Sequence, residues 1–181
     1  MNRKLQWVAV VAALAVILPL AAVWAIPRVA MSAAMNKLGG DGALNVFTHW
    51  GAPTDQSRAV VRPSPDLAYS ICILDLSAGP VRIEVPASAP YTSLALYSSI
   101  TDNYFVRNNR EDGGLQDGEV IGIVVTGPGG DAPANLPAGF TTVTAPTKKG
   151  LALVRRVIEN GAAIPRLDAL RAVSVCTPLQ G

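Results

Sequence analysis

The chain has 181 residues, half of them apolar, with 10 aromatic (3 Trp, 4 Tyr, 3 Phe) and 28 charged (15 basic, 13 acidic). That length suits one domain with an appendage, and so high an apolar content excludes a disordered chain. A formal net charge of +2 excludes a strongly basic nucleic-acid binder, so no nucleic-acid partner is expected.

The apolar residues are not evenly spread. From Leu5 to Ile26 every residue but Gln6 and Pro19 is apolar. Those 22 residues would span about 33 Å as a helix, against a hydrocarbon core of about 30 Å. Trp7 and Trp24 sit near the two ends, where indole favours the membrane interface. Arg3 and Lys4 precede the run, so the positive-inside rule predicts a cytoplasmic N-terminus and an exported body. The rival reading is a signal peptide cut after Val23-Trp24-Ala25, but the run is longer than a signal's apolar core. The anchor reading makes this an inner-membrane, single-pass protein with residues 29–181 periplasmic. Three regions are expected: an anchor over 1–28, a helical or loop linker over 29–57, and a β-rich exported domain over 58–181.

Past the anchor, Val29–Leu38 can continue as helix until Gly39-Gly40, and Ala43–Phe47 reads as a short turn. Strands are predicted next: 59–62, ending at Pro63-Ser64-Pro65; 67–76, rich in β-branched and aromatic residues; and 81–85, whose alternation puts Arg82 and Glu84 on a solvent face. Further strands are predicted at 91–100, 103–107, 119–125, 141–145 and 151–158. A Gly- and Pro-rich loop spans 127–139, and a short helix is predicted over 165–173, with proline in its first turn. Many short strands separated by Gly, Pro and Ser point to a mainly β domain, an antiparallel sandwich or jelly-roll-like sheet, behind one N-terminal transmembrane helix.

Cys72 and Cys176 suit an oxidising compartment, where a bond between them would stabilise by up to ~4.7 kcal/mol in the chain-entropy model. The alternative is one buried thiol and one loose thiol near the C-terminus; the bridged reading is preferred. With no CxxC and a single histidine, neither a metal nor a cofactor is expected.

His49 limits the catalytic options, since a Ser-His-Asp triad would need it and no GxSxG elbow is present. It reads best as a structural histidine beside Trp50. Gly127-Pro-Gly-Gly130 lacks the Lys-Ser/Thr of a phosphate loop and reads as a turn. Lys148-Lys149 and Arg155-Arg156 read as solvated edge charges, with contact to anionic lipid the alternative. Two polar clusters stand out: Asp66, Tyr69, Ser70 and Asp75, and Thr101-Asp102-Asn103-Tyr104-Phe105 with Arg107 and Arg110. Residues of these types near loop ends can line a small-molecule pocket, so Asp66, Tyr69, Asp102, Asn103, Arg110 and His49 are the candidate ligand-binding residues. The alternative is structural, with the acids capping turns and the tyrosines packing the core.

Arg62-Pro-Ser-Pro-Asp-Leu-Ala-Tyr-Ser70, Asp75-Leu-Ser-Ala-Gly-Pro-Val81 and Thr101-Asp-Asn-Tyr-Phe-Val106 resemble a bacterial family, domain of unknown function 1254. Asn45, His49, Trp50 and Pro146-Thr-Lys-Lys-Gly-Leu151 match further family positions, so the resemblance covers roughly Asn45 to Cys176. It implies a mainly β domain, in short members behind one membrane segment. Some relatives continue into a second domain, domain of unknown function 1214, so a separate chain carrying that domain is the expected partner. No catalytic mechanism comes with the family. Two functions remain: a periplasmic binding or assembly module, or an enzyme or half-enzyme with a pocket lined by Asp66, Tyr69, Asp102 and Arg110. Convergence of those side chains would favour the enzyme, and separation the module.

Overall fold

The computed structural model describes residues 2–39, 42–58, 60, 62–111, 114–131, 133, 136 and 138–179. Helix α1 (Arg3–Leu38) runs unbroken through Pro19 and Pro27. An 18-residue window in it has a mean hydropathy of 2.6, and none of that window is buried. It is long and apolar enough to cross a membrane, a test that an N-terminal signal sequence also passes.

Nine strands follow: β1 (Phe47–His49), β2 (Leu67–Asp75), β3 (Val81–Pro86), β4 (Thr92–Ser98), β5 (Asn103–Asn108), β6 (Val120–Thr126), β7 (Thr141–Thr144), β8 (Lys149–Val157) and β9 (Val175–Pro178). A 3-10 turn and the short helix α2 (Ile164–Ala172) stand between β8 and β9. The protein is therefore mainly β behind one long helix, with a short helix near its C-terminus. One sheet has the order β1-β2-β8-β4-β5 and the other β7-β6-β3-β9. Their facing sides carry Cys72, Leu74, Ile83, Val85, Leu94, Leu96, Ile121, Ile123 and Val154, nearly all without solvent exposure.

The alternation of VRIEV reappears in β3, with Val81, Ile83 and Val85 fully buried and Arg82 paired with Glu84 on the outer face. The continuous apolar run of β2 has a different cause. Its even-numbered side chains enter the sandwich, while Ile71 and Ile73 form a second core with Met31 and Leu151, backed by Met35 and Leu38. The last turns of α1 thus cover the outer face of the five-stranded sheet, which is buried on both sides.

Three features depart from the expected elements. Residues 44–49, read as linker, join the sheet: Leu44 bridges Ile73, and β1 pairs antiparallel with β2. Asn45 makes this possible. Its side-chain carbonyl accepts the Asp75 N–H and its amide donates to the Asp75 carbonyl, both at 2.9 Å. Its φ of 56° is a left-handed conformation that asparagine tolerates well. Second, β7 lies parallel to β6, because the long connection after Thr126 returns the chain to the end where β6 began. Third, β9 adds a strand that pairs with β3 and is tied to the opposite sheet by the bond between Cys72 and Cys176, whose Cα atoms are 6.6 Å apart. Of the strand expected at 59–62, residues 59 and 61 lie outside the described residues; Val60 and Arg62 belong to no strand.

Candidate functional site

The sandwich has two ends. At one, β2 leaves at Asp75, β8 enters at Lys149 and β4 leaves at Ser98; at the other stand Leu67, Val157 and Thr92. Asp66 lies beside the second end, exposed, its carbonyl accepting the Ile158 N–H. Asp102 and Asn103 lie at the first end, in the β4–β5 turn and at the start of edge strand β5. The Asp102 N–H donates to Ser98 Oγ. Nine residues of β2, about 30 Å of strand, separate the two carboxylates. Arg110 is exposed beyond β5, with its Nε 3.3 Å from the Pro90 carbonyl and its guanidinium 5.9 Å from the Tyr91 ring centre. Asp66, Asp102, Asn103 and Arg110 do not converge.

His49 makes a 2.9 Å hydrogen bond from Nδ1 to Ser70 Oγ, and its ring stacks on Phe47 at 6.0 Å. Burial, with the positive charges of Arg171 and Arg156, lowers its pKa, and Asp168 opposes this. Among the described residues no three His, Cys, Asp or Glu side chains are grouped as metal ligands.

Tyr69 belongs to a different arrangement. Tyr69 faces Arg155 and Ile71 faces Leu153 as cross-strand neighbours on β2 and β8, on the outer face of the sheet. Over these four residues lie Trp50, Pro53, Ser57, Val60, Arg62 and Pro63, with Leu38 of α1 at one side. Together they enclose a cavity of about 300 Å³. This roof is fastened at both ends to Tyr69: the Trp50 N–H donates to the Tyr69 carbonyl at 3.1 Å, and the Ser64 N–H to its phenol oxygen at 3.0 Å. Between them, the Thr54 N–H donates to Ser57 Oγ and the Ser57 N–H to the Thr54 carbonyl, which stiffens the roof. Arg171 of α2 holds the Trp50 carbonyl from below at 2.6 Å.

The cavity wall is mostly apolar (Trp50, Pro53, Val60, Pro63, Ile71, Leu153), with two guanidinium groups, Arg62 and Arg155. The Arg155 Nε is buried and has no hydrogen-bond partner among the described residues. A cationic donor set in an apolar wall fits a small apolar molecule carrying one anionic group.

The pair Arg155-Arg156, read as solvated edge charges, is neither. β8 lies between β2 and β4, and its alternation points the two side chains to opposite faces. Arg155 meets the cavity, while Arg156 enters the sandwich with no exposed surface. There its Nη2 donates to the Pro86 carbonyl and to Ser174 Oγ, at 3.0 and 3.2 Å. Burial, helped by the Arg171 charge, brings its pKa down to about 10. The sequence signal for the site was two adjacent arginines late in a strand, but only strand order could show that the strand is central.

The family profile "Protein of unknown function (DUF1254)" matches residues 44–178. The chain belongs to the DUF1254 family. No curated protein matches it. Among solved structures it resembles the VPA0106 protein from Vibrio parahaemolyticus, at 13% identity and a TM-score of 0.60, covering 84% of this chain and 35% of that one. It also aligns with a putative uncharacterized protein from Burkholderia cenocepacia at 16% identity and a TM-score of 0.43, over 64% of this chain and 32% of that one. The DUF1254 chain thus spans about a third of the length of both. At that identity the Vibrio match supports the fold alone.

Proposed function

We propose that this DUF1254 protein is a cell-envelope binding module. α1 anchors it in the inner membrane with its N-terminus in the cytoplasm, and the sandwich stands in the periplasm. The cavity between Trp50, Val60 and Pro63 and the Tyr69–Arg155 row holds a small, largely apolar molecule with one anionic group. The Arg155 guanidinium carries this reading, since it lies in a mostly apolar wall with its Nε buried and unpartnered among the described residues. The disulfide supports an oxidising compartment. The wide separation of Asp66 from Asp102 favours binding over catalysis by that set.

A thermal-shift screen of alkyl and aryl carboxylates on the full chain in detergent tests the binding reading. Stabilisation by apolar acids, lost in Arg155→Met, supports it; indifference of the wild type to every apolar acid contradicts it. Alkaline carbonate extraction of membranes tests the anchor, which predicts retention in the pellet.

An assembly role has its own support. In the Vibrio protein the matched fold accounts for only 35% of the chain, so there it stands beside further structure. A separate chain carrying domain of unknown function 1214 would supply an equivalent neighbour. Cross-linking in intact cells followed by purification should recover such a chain, and its consistent absence contradicts the role.

A further inference from the structure

At the end of the sandwich where β2 leaves and β8 enters, three connections meet the last turns of α1. Lys148 comes from the β7–β8 connection and Lys149 from the first position of β8, Ser77 from the β2–β3 connection and Ser99 from β4–β5. With Arg28, Ser32 and Met35 of α1 they line an open cleft of about 500 Å³. The cleft is built rather than accidental. The Ser99 N–H donates to Thr147 Oγ1 at 3.0 Å, Thr147 Oγ1 donates to the Lys149 carbonyl at 2.7 Å, and the Leu76 N–H donates to the Lys148 carbonyl at 2.8 Å. Three connections from two sheets are thereby locked into one wall.

The charge of the cleft is one-sided. Arg28, Lys148 and Lys149 line it, and both lysines are exposed. Two acids stand at this end: Asp75, directly across from Lys149 in the β2–β8 ladder, and Asp102, in the β4–β5 turn three residues past Ser99. Hydrogen bonds from Ser77, and beyond them the Lys149 charge, hold Asp75 below the usual carboxylate range, against a small opposing effect of burial. Three cations line the cleft, and neither Asp75 nor Asp102 is part of its lining, so its wall is positive.

The position of the cleft along α1 decides what that charge meets. The apolar run of α1 ends at Ile26. Arg28 follows two residues later, stacked 4.3 Å over the ring of Trp24, an arrangement suited to a membrane interface. Ser32 lies six residues past Ile26, about 9 Å of helix rise. Arg28, about 3 Å past Ile26, therefore lies within a headgroup layer about 5–8 Å thick, and Ser32 stands just at its outer edge.

Resting on the anchor reading, we infer that this cleft seats the phosphate of an anionic phospholipid in the outer leaflet of the membrane that α1 crosses. Arg28, Lys148 and Lys149 supply the charge, and the hydroxyls of Ser32, Ser77 and Ser99 supply hydrogen bonds. The lipid fixes the sandwich against the bilayer with its turn end down, and the ligand cavity, beside Leu38, stands ten residues of α1 farther from the membrane than Arg28.

The test uses the full chain in nanodiscs of phosphatidylglycerol or of phosphatidylcholine, with sandwich unfolding followed by near-ultraviolet circular dichroism. The inference predicts a melting temperature several degrees higher in phosphatidylglycerol at low salt. The increment should disappear in K148A/K149A, survive in K148R/K149R and shrink in high salt. Equal melting in the two lipids, or an increment that K148A/K149A leaves intact, overturns it. So does equal stabilisation in phosphatidylcholine discs by inorganic phosphate or by an acidic peptide, which would assign the cleft to a soluble anion or a protein. Release of the chain by alkaline carbonate overturns the anchor reading and this inference together, whereas retention with no lipid preference overturns this inference alone.

Discussion

The phenol oxygen of Tyr69 accepts the backbone N–H of Ser64 at 3.0 Å, and this bond closes the far end of the cavity roof on the sheet. The Tyr69 carbonyl fixes the near end through the Trp50 N–H. One strand residue therefore sets the height of the roof. Tyr69→Phe keeps the backbone bond and the ring but removes the phenol acceptor. It should cost about 1 kcal/mol of stability. Hydrogen exchange at the Ser64 amide should rise while that at Trp50 is unchanged. Equal acceleration at both amides would show that the roof does not hinge on the hydroxyl.

The bond between Cys72 and Cys176 joins β2 in one sheet to β9 in the other across 104 residues of sequence. The C72A/C176A variant should lose about 2–5 kcal/mol in denaturant unfolding. β9 should be the first element to exchange, because few hydrogen bonds besides its ladder with β3 hold it. A loss well below 1 kcal/mol would mean that the two sheets do not depend on the link.

Arg156 is a fully buried cation with no carboxylate bound to it among the described residues. Arg156→Ala should cost about 2–4 kcal/mol, because it leaves a void between the sheets. Arg156→Met fills most of that volume without a charge to desolvate and should stay within about 1 kcal/mol of the wild type. Equal losses in the two variants, read from urea unfolding, would place the value of Arg156 in its hydrogen bonds rather than in its volume.

His49 should make stability fall in mild acid. Its folded pKa is lowered, by burial first and then by Arg171 and Arg156, so the unfolded chain takes up the proton more readily. The fold carries no penalty from it well above pH 6.5. The penalty grows as the pH falls below 6.5 and is complete below the folded pKa. Because His49 is partly exposed, the slope should be shallow. The His49→Gln variant should flatten the pH dependence of the melting temperature between about pH 5 and 7. A wild-type curve that rises on acidification in that window would contradict the assignment.

Gly150 stands where a Cβ would overlap the backbone carbonyl oxygen of Tyr97, on the neighbouring strand β4. Gly150→Ala must push β4 and β8 apart at the start of their ladder and should cost about 2–4 kcal/mol. A neutral effect on the melting temperature would show that this end of the sheet is loose.

Much of the sandwich was legible in sequence because its strands alternate or carry β-branched runs. The 81–85 strand and the stretch at 67–76 show both patterns, and their cores followed directly. The parallel pairing of β7 was not legible, since the return of a long loop leaves no trace in local periodicity. β1 escaped because three residues are too few to show a period, and its stabilising partner, the Asn45 amide on Asp75, is 30 residues away. The candidate site was half legible. Tyr69 and Trp50 were marked by their residue types and by the family resemblance. Arg155 was not, because its meaning depends on β8 being central and on which face odd-numbered residues take. The clusters around Asp66 and Asp102 resemble one another in residue type, but the length of β2 holds them at opposite ends of the sheet.

The central claim is that the cavity between the roof and the Tyr69–Arg155 row binds an apolar anion. The most direct measurement titrates the full chain in detergent with 8-anilinonaphthalene-1-sulfonate, an aryl anion, and in parallel with the neutral N-phenyl-1-naphthylamine, reading their emission. The account predicts saturable binding of the anion at least about tenfold tighter than the neutral probe, as expected for one desolvated charge-assisted contact. It also predicts loss of that preference in Arg155→Met with the fold intact. Equal affinities for the two probes, or an anion preference that survives Arg155→Met, would contradict it.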